Sequence, residues 1–257
     1  MAAALLISLL AGATIVLGGL VVRLSRGARR IEHFSIALAA GSMLALLAFD
    51  LGPELSEGFA AGAHLQVLAG LVAGFAGLVA LDRAIPDHEG VAAGRAHAGA
   101  GGAAGADEEH DGNAAHIGLI SAVAIALHNV IEGMAVYSVT LSSTSAGALY
   151  ALAIALHNVP VGMLLFSTLG KGRPALRRGV LAAVTLSTFA GAVLMAALAR
   201  AVPEAVMVFF VAAAAGMICY ILVMELAGRL VRSRPAWVSI AGCAAGFLIV
   251  VAASFLG

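Results

Sequence analysis

The sequence predicts an all-α fold of the polytopic membrane type, a single transmembrane domain over residues 1–257 with eight transmembrane helices. Three observations predict it. Hydrophobic residues make up 62% of the chain and charged residues 11%, against about 25% charged in a soluble domain; mean hydropathy is +1.05. The apolar residues fall into eight separate windows. The basic residues fall almost entirely into alternate gaps between those windows.

The windows are roughly 3–22, 34–53, 64–82, 117–139, 146–169, 178–199, 204–227 and 237–256. Each supplies about the 20 apolar residues needed to cross a hydrocarbon core of about 30 Å. Lipid offers backbone groups no hydrogen-bond partner, so the windows predict helices rather than open strands. The first is long, and the rest of the chain is equally apolar, so it is read as a first span and not as a cleaved signal.

Charge sets the orientation. Arg23, Arg26, Arg29 and Arg30 follow span 1, and Arg83 and Arg95 follow span 3. Lys171, Arg173, Arg177 and Arg178 follow span 5, and Arg229, Arg232 and Arg234 follow span 7. Of the 14 basic residues, only Arg200 falls on the other side. The positive-inside rule makes the basic side cytoplasmic and turns both termini outward. Compact loops and the lack of a transit-like N-terminus point to an inner or plasma membrane.

The gaps on the outer side are short, and one carries Glu54, Glu57 and His64. The long cytoplasmic gap, 83–116, is rich in Gly and Ala and carries His88, His97, His110 and His116 among four acids. It is expected to be a flexible linker, since it cannot bury a core. A weak metal-collecting tether and a plain solvated linker are equally good readings of it. Net charge is zero, which argues against a nucleic-acid partner. Cys219 and Cys243 lie within apolar runs and read as small packing residues.

Spans 4 and 5 contain an exact repeat: AIALHNV occurs at Ala124–Val130 and again at Ala153–Val159. His128, Asn129 and Glu132 thus fall inside span 4, with His157 and Asn158 inside span 5. A carboxylate at the centre of a span costs about 3 kcal/mol on insertion scales, so intramembrane ionisable groups point to a pathway or site. His128 and Glu132 lie one turn apart on one helical face. Imidazole nitrogen with carboxylate oxygen suits Zn²⁺, Fe²⁺ or Mn²⁺, and His157 on the neighbouring helix can complete the set. Against this stands interhelical hydrogen bonding, which explains a lone buried Asn or His but not two His-Asn pairs, one with an acid at i+4. Pro160 frees the carbonyl of Leu156 beside the second pair.

Span 2 adds Met43, Asp50, Glu54 and Glu57, spaced to fall along one helical face. Acids running from mid-membrane to the outer surface would draw cations inward, and the Met43 thioether is a soft donor. Glu225 in span 7 lies toward the cytoplasmic end, as an exit-side carboxylate or an interfacial charge.

His128-Asn129-Val130-Ile131-Glu132-Gly133 resembles the HNxxEG motif of span 4 in the ZIP (Zrt/Irt-like) metal transporters. His157-Asn158-Val159-Pro160 is similar to the start of their span 5 motif, and Ala40–Glu54 to their span 2. The resemblance implies a 3+2+3 bundle with spans 1–3 and 6–8 as inverted repeats. It implies transport of a divalent metal toward the cytoplasm, usually Zn²⁺ and often Fe²⁺, Mn²⁺ or Cd²⁺. It assigns Met43, His128, Glu132 and His157 to the main site and Asn129 and Asn158 to a neighbouring one. Asp50 and Glu57 would line the entry and Glu225 the exit. No enzyme activity and no prosthetic group are implied, and a homodimer is compatible. This chain departs from the pattern at Val161, where the family usually has a carboxylate, at Ile131, where proline is common, and in the acid-free span 6. These departures predict one ion, with Glu132 as the only carboxylate of the centre.

Three competing functions follow from the same residues. A membrane haem protein would use His128 and His157 as axial ligands, leaving Glu132 and the acids of span 2 without a use. An intramembrane metalloenzyme lacks support, since no HExxH is present. A transport-altered paralogue would bind or sense the metal without moving it.

Overall fold

The structure is a computed structural model describing residues 1–25, 29–84, 103–169, 174–198, 203–232 and 235–255. Its regular structure is entirely helical among those residues. The helices are α1 (Ala2–Leu24), α2 (Arg29–Leu46, continuing through Leu47–Leu51 and Gly52–Ala60), α3 (His64–Ala84), α4 (Ala103–Ser142), α5 (Thr144–Thr168), α6 (Pro174–Leu198), α7 (Glu204–Tyr220, continuing through Ile221–Leu226 and Ala227–Arg232) and α8 (Ala236–Ser254). Eight segments among the described residues are long and apolar enough to span a bilayer, one in each helix. They coincide with the eight windows, so the chain is an all-α polytopic membrane protein.

Three features differ from expectation. The linker reading of 83–116 is corrected at its C-terminal end, where Ala103–His116 extends α4. Its Ala and Glu content favours helix, and extending an existing helix needs no new nucleus. The rest, 85–102, lies outside the described residues. In α2, Leu47–Leu51 is π-helical. A π turn holds more residues than an α turn, so Asp50 and the residues beyond it are rotated away from the single face that α-helical spacing assigns with Met43. The helix also runs past the expected end of span 2, placing Glu54 and Glu57 on a final turn that stops at Ala60. Gly62, at φ 83°, makes the left-handed turn that a side chain would strain. Ala63 N–H closes it by donating to the Gly58 carbonyl at 2.9 Å.

The helices pair in a pattern that repeats upside down. α1 packs mainly on α5 and α4 on α6, while α2 packs on α8 and α3 on α7. Glycines set these close approaches, as lipid-embedded helices require when hydrophobic force between them is weak. A side chain at Gly162 would collide with the Ile15 carbonyl, and one at Gly133 with the Thr188 carbonyl. Gly18 and Gly191 meet Val159 and Val130 in the same way. Equivalent positions in α4 and α5 differ by 29 residues (Gly133, Gly162), and in α1 and α6 by 173 (Ile15, Thr188; Gly18, Gly191). Leu38 and Ala213, which oppose Gly246 and Gly74, give an offset of 175 between α2 and α7 and of 172 between α3 and α8. Constant offsets mean that α1–α3 and α6–α8 are inverted copies, with α4 and α5 exchanged between them. The π-helical segments obey the same rule: Leu47–Leu51 in α2 answers Ile221–Leu226 in α7.

Candidate metal centre

α4 and α5 are joined by a tight turn. The Ser143 hydroxyl oxygen accepts a hydrogen bond from Ala146 N–H at 3.3 Å and so caps α5. Gly147 then lies directly against Thr140. The two helices therefore leave the turn as antiparallel neighbours, and the repeated His-Asn pairs meet at mid-span. α5 stays helical through Pro160.

His128, Glu132 and His157 converge there, with one donor atom from each lying within 4.8 Å of the others. Glu132 Oε1 is 3.0 Å from His128 Nε2 and 2.8 Å from His157 Nε2. All three side chains are buried. Neither short contact has hydrogen-bond geometry, so both Nε2 atoms and both Glu132 oxygens lack a hydrogen-bond partner, as does His128 Nδ1. Buried polar atoms are nearly always satisfied. A cluster of five that are not, crowding one point, is what ligands aimed at a shared cation present. The imidazole rings are 6.4 Å apart and tilted by 45°, and the carboxylate oxygen lies between their nitrogens. That oxygen fills the space a porphyrin plane would need, so the residues do not fit a haem.

The repeated asparagines turn away from this point. Asn129 Nδ2 donates to the Val184 carbonyl of α6 at 3.4 Å, and Asn158 Nδ2 donates to the Ala11 carbonyl of α1 at 3.2 Å. The two bonds are related by the inverted repeat. They tie the central helices to their flanking partners, the interhelical role weighed for them from sequence. Asn158 Oδ1 remains buried without a hydrogen-bond partner.

The acids of α2 lead toward the centre. Asp50 lies close enough to Glu132, His128 and His157 for their charges to interact, and Glu54 similarly reaches Asp50, His128, Glu57 and Glu132. Met43 is buried in the core cluster that also contains Val161 of α5. At the α2–α3 end a cavity of about 700 Å³ is lined by Glu54, Glu57 and Glu204, with Ile131 and Ala135 of α4 on its wall. His128, Ile131 and Ala135 follow one helical stripe, so this cavity opens along the face of α4 that carries the centre. Glu225 lies in the π-helical segment of α7, near Tyr220, whose hydroxyl donates to Asp82.

Sequence reasoning missed Glu204 and Tyr150. Glu204 is the first residue of α7 and sits at the same end as Glu57; the topology placed it there, but its distance in sequence from the other acids hid the association. Tyr150, two turns before His157, lies within electrostatic reach of Asp50, Glu54 and Glu132. A tyrosine in an apolar span gives no signal of its own.

No protein-family model matches the chain, and no curated protein matches it. Fold and site together define an all-α polytopic membrane protein with a buried His-Glu-His group placed to hold a metal ion.

Proposed function

We propose that the protein is a divalent transition-metal transporter, with zinc its foremost cargo, and that the ion crosses through the centre formed by His128, Glu132 and His157. The observation that carries this reading is the convergence of the three side chains at mid-membrane with their facing atoms unsatisfied. Two nitrogens and a carboxylate oxygen match the borderline-soft preference of Zn²⁺. An ion that must leave again is served by few ligands. The acidic cavity at the α2–α3 end supplies a mouth that concentrates cations, and the inverted repeat is the architecture on which transporters place midplane sites. The resemblance of His128–Gly133 and His157–Pro160 to the ZIP motifs agrees with the same function. By the positive-inside rule the acidic mouth faces outward, both termini lie outside the cytoplasm of an inner or plasma membrane, and flow is inward.

Metal uptake into vesicles reconstituted with the purified chain tests the proposal. Wild-type protein should accumulate Zn²⁺, and Glu132→Ala should lose uptake while retaining its fold. Equal uptake by the two would refute transport through this centre. Tight binding by the wild type without uptake would instead identify a metal sensor.

A further inference from the structure

The centre holds one carboxylate. A divalent cation bound by two neutral imidazoles and Glu132 would keep a net positive charge deep in the bilayer, an expensive placement unless a second anion is near. Among the described residues, Asp50 is a carboxylate within electrostatic reach of all three ligands. It is half-buried, while Glu54 and Glu57, one and two turns further along α2, are exposed.

Its position has a backbone cause. Asp50 lies in the five-residue π-helical segment of α2, Leu47–Leu51. π turns inside α-helices re-aim side chains and recur at functional sites. The pseudo-symmetric segment of α7 carries Glu225, 175 positions further on, as its own single acid. Two copies of a rare turn, each carrying one carboxylate at the equivalent place, tie the turn to the acid. Without a cation, Asp50 and Glu132 repel each other. With one between them, their closeness becomes favourable.

Building on the metal reading of the centre, we propose that Asp50 is its second anion, so that a divalent cation is held as a neutral unit with Glu132, His128 and His157. Asp50 is then more than a lining group of the entry. Neutrality fits a divalent ion and leaves a residual charge with a monovalent or trivalent one.

Binding of Co²⁺ to the purified full chain in detergent, followed by its visible absorption and by calorimetry, tests this. Asp50→Asn should weaken Co²⁺ binding by about tenfold or more, the range seen when a supporting partner of a metal site is lost. Asp50→Glu should restore most of the affinity, and Glu54→Gln should change it little. Asp50→Ser serves the same purpose if the Asn variant does not fold. Affinity of Asp50→Asn within about twofold of wild type overturns the proposal, as does equal weakening by the Asn and Glu variants, which would mark a purely structural role for the turn. Glu132→Gln, run in parallel, separates the two layers. If it loses binding while Asp50→Asn does not, the centre stands and the second anion falls. If it also binds as wild type does, the centre itself falls.

Discussion

Replacing Glu132 by Gln keeps the shape of the side chain and removes one charge. Glu132 Oε1 lies 3.0 and 2.8 Å from the two imidazole nitrogens, so an ion at this point would sit at ligand distance from all three. At about 2.1 Å, a carboxylate and a divalent ion attract by about 16 kcal/mol with an effective dielectric of about 20. Stripping water from both offsets most of that. Removing one partner of a buried charge pair leaves a net loss of about 2–5 kcal/mol, or about 30-fold to 4,000-fold in affinity. The metal-free protein should respond in the other direction. Its buried carboxylate has no hydrogen-bond partner, so a neutral amide should leave the melting temperature unchanged or raise it. Calorimetric titration with Zn²⁺ and a thermal melt without metal measure both quantities. Unchanged zinc affinity would refute the reasoning. So would lost binding accompanied by a large fall in metal-free stability, which would make Glu132 a structural residue.

Three further perturbations test the frame around the centre. Gly162→Val drives a side chain into the Ile15 carbonyl and should cost about 1–3 kcal/mol of stability; a melt unchanged from wild type would contradict the close α1–α5 approach. Asn158→Leu removes the bond to the Ala11 carbonyl and should cost about 0.6–2 kcal/mol, read by denaturation in detergent, with Asn129→Leu giving a similar loss by symmetry. Val161→Glu places a carboxylate one turn beyond His157 and should raise the metal stoichiometry from one ion per chain to two, measured by elemental analysis; a count that stays at one would contradict the view that this position limits the centre.

Much of this was legible in the sequence because lipid imposes simple rules. Each of the eight windows gave one helix, since a crossing segment must satisfy its backbone internally. The centre was legible for a related reason: His128, Glu132 and His157 are expensive at mid-membrane, and the repeated AIALHNV showed that the two helices present the same face. What stayed hidden depended on backbone geometry or long-range pairing. The π turn at Leu47–Leu51 leaves no mark in hydrophobic periodicity, so the rotation of Asp50 relative to Met43 could not be read. The inverted relation of α1–α3 to α6–α8 is carried by glycines and carbonyls such as Gly162 and Ile15, which no run of identical residues announces. Glu204 joined Glu54 and Glu57 only once α7 was placed beside α2. The extension of α4 back to Ala103 was missed because glycine and charge within 103–116 read as linker, while its alanines continue the helix.

The most direct test of the account is a crystal structure of the purified chain grown with saturating zinc, with diffraction recorded on both sides of the zinc absorption edge. The account predicts one anomalous peak at mid-membrane, within coordinating distance of His128 Nε2, Glu132 and His157 Nε2. An anomalous map with zinc elsewhere and no peak among these three side chains would contradict it.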